Sequence, residues 1–275
     1  MTDSLTTTPL GKNARYEEIY NPTLLCGIKR VEGYQAVGID AQQLPFHGMD
    51  IWNAYELSWL NSKGKPEIGI AEIQVPSNSL CIVESKSLKL YLGSFNQTRF
   101  NTREEVIHTI ESDLSSTTHS TVMVKLLVGE EAMHRSIDRL QGINLDLLDI
   151  EVSEYQLNDT LLTTELGAKT SETLYSHLLR SNCPVTGQPD WASVLVSYQG
   201  QPISHEGLLR YLISFRKHSE FHEQCVERIF MDIMKHCQPE HLSVYARFTR
   251  RGGIDINPFR SNFETGVGNL FLPRQ

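Results

Sequence analysis

Tyr91-Leu-Gly-Ser-Phe95 and Tyr211-Leu-Ile-Ser-Phe215 agree at four of five positions, 120 residues apart. A helical pattern follows each. Val106, Ile107, Ile110 and Leu114 share one face after the first, and Val226, Ile229, Phe230 and Ile233 after the second. Five residues can match by chance, but a match in matching surroundings points to a strand-and-helix module present twice. Two related modules offer an interface, and interfaces are where pockets form.

Strand patterns fill in the rest. Asp50 to Leu60 and Glu67 to Val75 read as strands joined by the turn Asn61-Ser-Lys-Gly-Lys-Pro66. Ser120 to Val128 reads as a third strand. Thr102 and Glu105 form a capping box for the helix Thr102 to Leu114. In the second half, Ile143 to Tyr155 and Trp191 to Tyr198 read as strands and Ser171 to Arg180 as a helix. Ser243 to Arg250 alternates, and the turn Arg251-Gly-Gly253 leads into Ile254 to Phe259. No Gly-x-Gly-x-x-Gly follows a strand and no phosphate-binding loop motif occurs, so a dinucleotide fold of the doubly wound kind is unsupported. The order of elements predicts antiparallel α+β architecture.

Composition narrows the function classes. The chain has 275 residues, 40% hydrophobic and 21% charged, with a formal net charge of −8. There is no apolar run of about 18 residues, hence no membrane span is expected. Met1 to Leu10 has neither the basic flank nor the apolar core of an export signal. The five cysteines are odd in number and widely spaced, without Cys-x-x-Cys, which fits a reducing cytoplasm and free thiols better than disulfides or structural zinc. The acidic balance argues against a large nucleic-acid surface and leaves room for a local basic pocket.

Four stretches could carry chemistry. Cys183 lies in Ser181-Asn-Cys-Pro-Val-Thr-Gly-Gln-Pro-Asp190, a loop shaped by Pro184, Gly187 and Pro189. A thiol of ordinary pKa is only a few per cent thiolate at neutral pH, so a nucleophilic role needs help, and Asp190 could give it only by moving a proton. On this loop alone, an ordinary loop cysteine is the better reading. Glu84-Ser-Lys-Ser-Leu-Lys-Leu-Tyr91 places a carboxylate at a strand end, able to accept N–H bonds from a base edge, with Lys86 and Lys89 near enough in sequence for phosphates. The bland alternative is a solvated charge cluster. Phe221-His222-Glu223 could stack on and bind a heterocycle. His218 and His222 have a metal-ligand spacing but no evident third partner. Thr249-Arg-Arg-Gly-Gly253 could hold a phosphate or be a plain hairpin turn.

Together and in this order, Glu84-Ser-Lys-Ser-Leu-Lys-Leu-Tyr91, the Cys183–Asp190 loop, Phe221-His222-Glu223 and Arg251-Gly252 resemble the NADPH-dependent 7-cyano-7-deazaguanine reductases, nitrile reductases of queuosine biosynthesis, in their longer two-module form. The resemblance runs from about residue 15 to Gln275. It implies two tandem tunnelling-fold modules, 15–140 carrying the Glu84 motif and 141–275 carrying the cysteine and aspartate, behind a mobile tail 1–14. It implies a cytoplasmic homodimer that acts on a small molecule, with no direct nucleic-acid or membrane partner and no metal. Cys183 is expected to add to the nitrile and Asp190 to supply the proton. Val83, Glu84, Ser85, His222 and Glu223 are expected to hold the base, and Ser85, Lys86, Arg251 and Gly252 to contact NADPH. Since Glu84 and Cys183 fall in different halves, isolated halves are expected to be inactive. The rival readings are a metal-dependent cyclohydrolase of the same fold and a non-catalytic binder of a modified base or tRNA.

Overall fold

The structure is a computed structural model that describes residues 16–275; the expected tail 1–14 lies outside the described residues. The chain divides into two compact units. The first comprises residues up to Gln42, Met49–Ser136 and Arg250–Asp255. The second comprises Gln43–Gly48, Ile137–Thr249 and Ile256–Gln275. Each therefore contains a short segment from beyond a simple cut at 140/141. The elements are mixed α and β, and the strands pair antiparallel except at one two-residue ladder.

In chain order the first unit contains β1 (Gly27–Lys29), α1 (Arg30–Ala36), β2 (His47–Leu60, from Met49 onward), β3 (Pro66–Pro76), β4 (Cys81–Val83), α2 (Ser85–Gly93), α3 (Arg103–Thr118), β5 (Met123–Val128) and the single turn α4 (Glu130–Met133). β3 pairs antiparallel with both β2 and β5, and β1 pairs with β4. Thr102 caps α3 by accepting from Glu105 N at 3.1 Å. Val106, Ile110 and Leu114 are fully buried where α3 packs on β4 and β5. That is the 3.6-residue stripe expected of a helix laid on a sheet.

The second unit contains β6 (Ile143–Asn144), β7 (Thr170–Asn182), β8 (Pro189–Gly200), α5 (His205–Ser214), α6 (His222–Cys237), β9 (His241–Phe248) and most of β10 (Ile254–Ser261). β7, β8, β9 and β10 pair antiparallel in sequence order. α6 packs on β9, and Val226, Ile229, Phe230 and Ile233 are fully buried.

Two expectations change. Ser171 to Arg180 is strand, inside β7, and not helix. The ladder to β8 shifts register between Ser176 and Leu179, a β-bulge. The extra residue breaks the period of two and leaves apolar residues at spacings that mimic a helix. The second change concerns Ile143 to Tyr155. Only Ile143 and Asn144 are strand, because the Asn144 side chain accepts from Asp146 N at 3.0 Å and turns the chain. Asp146 then accepts from Ser176 Oγ at 2.6 Å and His177 N at 2.9 Å, which satisfies the groups the bulge frees.

The repeat extends well beyond its five letters. Tyr91 and Tyr211 pack edge-on against Phe95 and Phe215, at 5.2 and 5.3 Å between ring centroids. Their hydroxyls donate to Asp113 and Asp232 at 2.6 and 2.7 Å. Ser94 and Ser214 donate to the Tyr91 and Tyr211 carbonyls, both at 2.6 Å, and accept from the backbones of Asn21 and Asn158. Both long hairpins carry a bulge in their first strand. The same hydrogen-bond design built twice is what duplication leaves behind.

Candidate active site

In the second unit the site grows from the β7–β8 hairpin. Cys183 N donates to the Gln188 carbonyl at 2.8 Å, and Gly187 N donates to the Cys183 carbonyl at 3.0 Å. Gly187 has φ +67°, a left-handed conformation that favours glycine. Asn182 ties the hairpin to the segment entering α6: its backbone N donates to the His218 carbonyl at 2.9 Å, and its side chain to the Arg216 and His218 carbonyls. The turn of the first unit is built alike, with Asn61 N donating to Lys65 O and Gly64 N to Asn61 O. Cys183 thus stands where the other hairpin carries Asn61.

Cys183 and Asp190 are both buried, at 3% and 6% exposure. Asp190 sits opposite Ser181 in the ladder. His222 opens α6, and its Nε2 lies 3.7 Å from Asp190 Oδ1, at the edge of an ion-pair distance. The His222 ring stands edge-on to Phe248, 4.1 Å between centroids. Glu223 follows at 2% exposure. Three sequence-separated pieces, the hairpin end, the start of α6 and β9, therefore converge within one unit.

Phe221 precedes α6 and its side chain cannot cap a helix; Gln224 accepts from Phe221 N at 3.3 Å instead. The free amides and dipole of the first turn favour negative charge at the end that carries His222. A clamp holds this end. Glu220 accepts from Arg228 through both oxygens and lies 2.9 Å from His218 Nε2. Burial pushes the Glu220 carboxyl up, but His218 and Arg228 outweigh it and hold the carboxyl below its ordinary range. His218 turns to Glu220 and His222 to Asp190, so the metal-ligand spacing seen in sequence does not make a joint site. Among the described residues no three His, Cys, Asp or Glu side chains are gathered to hold a metal. The clamp was not legible in the sequence, since Glu220 and Arg228 meet across a helix start that no motif marks.

In the first unit Glu84 N donates to the Cys26 carbonyl at 2.8 Å, continuing the β1–β4 ladder. Its side chain then caps α2: Oε1 accepts from Lys86 N at 2.7 Å and Oε2 from Ser87 N at 2.8 Å. Glu84 is 1% exposed, and burial raises its pKa against the lowering effect of those amides and of Lys89 and Lys86. Each oxygen keeps a second lone pair for an outside donor. Val83 is buried behind Glu84, while Ser85 and Lys86 are half-buried on the first turn of α2.

Arg251-Gly252-Gly253 forms a tight turn, closed by Arg251 N donating to the Ile254 carbonyl at 2.9 Å. Gly252 and Gly253 have φ +62° and +74°. A Cβ on Gly252 would meet the Lys89 chain at 3.3 Å, and one on Gly253 would strike Glu56 at 2.4 Å. A cavity of about 310 Å³ is lined by Gly252, Gly253, Lys89, Glu56 and Asn96 among others. A lysine beside exposed turn backbone suits a phosphate-bearing cofactor. Lys89 thereby joins Gly252 at this cavity.

Residues 16–126 match the family described as nitrile reductase, 7-cyano-7-deazaguanine-reductase N-term, and residues 189–266 match the family described as QueF-like protein. The chain is 54% identical over 269 residues to the NADPH-dependent 7-cyano-7-deazaguanine reductase of Paraburkholderia phytofirmans, covering 97% of this chain and 98% of that protein. It is 53% identical to the protein of the same name from Cupriavidus necator and 54% to that from Bordetella avium, each over 94% of both chains. Among solved structures, an archaeosine synthase QueF-Like in the apo form aligns with 38% of this chain at 16% identity and a TM-score of 0.31, too slight a likeness to argue from.

Proposed function

Because the chain belongs to the NADPH-dependent 7-cyano-7-deazaguanine reductase family, we propose that it reduces the nitrile of 7-cyano-7-deazaguanine to an aminomethyl group, with Cys183 as nucleophile. The observation that supports this most is the grouping in the second unit: buried Cys183 at the end of a pinned hairpin, buried Asp190 on the same hairpin, and half-buried His222 3.7 Å from Asp190 at a helix start.

A nitrile accepts hydride poorly, and covalent addition divides one hard step into easier ones. The Cys183 sulfur bonds to the nitrile carbon and a proton passes to nitrogen, giving a thioimide. Asp190 supplies that proton and His222 assists its movement. NADPH, when bound, supplies hydride, twice in the full reaction. After the first hydride and a proton, the C–S bond of the thiohemiaminal breaks, releasing the thiol and an imine. The second hydride and proton give the amine. Glu84 and Glu223 hold the N–H edge of the base, with Val83 and Ser85 beside Glu84. Ser85, Lys86, Arg251 and Gly252 contact the cofactor, and the Lys89 cavity fits its diphosphate. Two tandem tunnelling-fold modules, a homodimer and a cytoplasmic setting complete this reading.

Intact-protein mass spectrometry with the nitrile and no NADPH tests it. The expected result is one covalent adduct per chain, absent in Cys183→Ala; an adduct that survives that substitution rules the mechanism out. In Asp190→Asn, base binding is expected to persist while turnover falls about a hundredfold or more. Unchanged turnover removes Asp190 as proton donor.

A further inference from the structure

The second unit holds a cluster of positive charge that the chemistry above does not use. Trp191 follows Asp190 on β8, so its side chain leaves the opposite face of the strand. Three guanidiniums surround its indole. The Cζ atoms of Arg180 and Arg216 lie 5.6 Å from the ring centroid, and that of Arg274 lies 5.8 Å away. Arg180 is the ladder partner of Trp191, Arg216 comes from the turn after α5, and Arg274 comes from the end of the chain. Arg180 and Arg216, with Lys217, line a cavity of about 480 Å³ whose remaining walls are Val152, Tyr155, Leu178 and Ile213.

Among the described residues these cations make no ion pairs, unlike other arginines of the chain. Arg30, Arg228 and Arg260 pair with Asp50, Glu220 and Glu227. Among the described residues, no ion pair to a carboxylate is made by Arg180, Arg216, Lys217 or Arg274. Arg180 donates to the Arg216 carbonyl and to Asn182 Oδ1, and its Nε is buried without an acceptor. Gathering like charges around a cavity is unfavourable by itself, and in a chain of net charge −8 it is not a by-product of composition. The terminal nitrogens of Arg180 are engaged by its two acceptors, whereas the Arg216 guanidinium over the indole makes no side-chain hydrogen bond among the described residues and can offer its N–H edge to a bidentate oxyanion. Tyr155 and the aliphatic walls suit a flat ring beside that anion.

We infer that the Arg180–Arg216–Trp191 cluster binds the phosphomonoester of a nucleotide, with Lys217 and Arg274 adding field and the base resting against Tyr155. A mononucleotide suits an open cavity of this volume; a nucleic acid needs a longer basic track than these residues supply. The phosphate could come from the cofactor or from a separate nucleotide, and one experiment separates them.

The full chain is titrated calorimetrically with 2′-AMP and with adenosine at fixed ionic strength. The expected result is binding of 2′-AMP, adenosine weaker by tenfold or more, and a loss of about tenfold or more in Arg216→Gln. Equal affinity for the two ligands, equal affinity of the variant, or binding of tRNA in their place overturns the inference. Arg216→Gln is the variant of choice because Arg180 also ties β7 to its neighbours; an unchanged melting temperature shows that the fold is kept. If the KM for NADPH rises in Arg216→Gln while that for NADH does not, the phosphate is the cofactor's. If 2′-AMP binding is lost at constant NADPH KM, the site serves a separate nucleotide. This arm rests on the proposed reductase activity, which the cofactor-free Cys183 adduct in the same variant reports independently.

Discussion

Both oxygens of Glu84 accept backbone N–H groups from the first turn of α2. The side chain read from sequence as a base-binding group is therefore also a helix cap. The two roles are compatible because each oxygen has two lone pairs, and they can be separated by substitution. Glu84→Ala removes the cap and is expected to cost about 1–2 kcal/mol. Glu84→Gln keeps one acceptor oxygen and is expected to lose less stability, but to weaken base binding about tenfold or more, since its amide nitrogen cannot accept. Urea midpoints and the affinity for the nitrile check both. Base binding unchanged in Glu84→Gln would leave Glu84 as a cap alone. At Cys183 the residue scale shows how little marks a site: the Asn61 turn closes with a similar pair of backbone bonds, one residue shorter, and its Asn61 side chain accepts from Lys63 N and Lys65 N where the second hairpin carries a thiol.

At the scale of elements, α6 begins on a phenylalanine with no side-chain cap, and the Glu220–Arg228 pair fixes its start. The folded-state pKa of Glu220 lies below its ordinary value. In the unfolded chain it titrates near about 4.3. The pair's contribution is then complete above that pH and drains away as pH falls through the lower folded value. Glu220→Gln is expected to cost about 2–3 kcal/mol at pH 7, a partly buried pair broken on one side, and the gap to the parent protein is expected to close in acid. A gap that does not change with pH in urea melts would remove the ion pair as its cause. The elements also show why sequence reading slipped at β7. The bulge is kept in place by Asp146, thirty residues upstream of Ser176. Local periodicity cannot report a bulge whose partner lies on another segment.

At the scale of the whole molecule, each unit contains a segment that a cut at 140/141 would remove. Phe46 lies in the second unit, edge-on to Phe230 at 5.4 Å and under Arg260. Asp255 lies in the first unit, where it accepts from Asn53 Nδ2 at 2.7 Å and from Tyr55. Fragments 15–140 and 141–275 are therefore expected not to fold cooperatively when made separately. Fragments extended to carry the missing segment are expected to gain structure. Circular dichroism melts check this; a sharp transition in either short fragment would contradict it.

The sequence by itself determined the mixed α and β class, the antiparallel architecture and the family, because periodicity, capping and contiguous motifs are local and survive in linear order. The Tyr91 and Tyr211 strings report a hydrogen-bond design that each unit repeats around Asp113 and Asp232. Only the tertiary structure decided that Ser171 to Arg180 is strand, that His222 reaches Asp190 rather than His218, that Glu84 caps its own helix, and that three arginines, without carboxylate partners among the described residues, meet at Trp191. The physical reason is common to all four. Each depends on which distant group satisfies a donor, an acceptor or a charge, and that is settled by packing after the chain has folded.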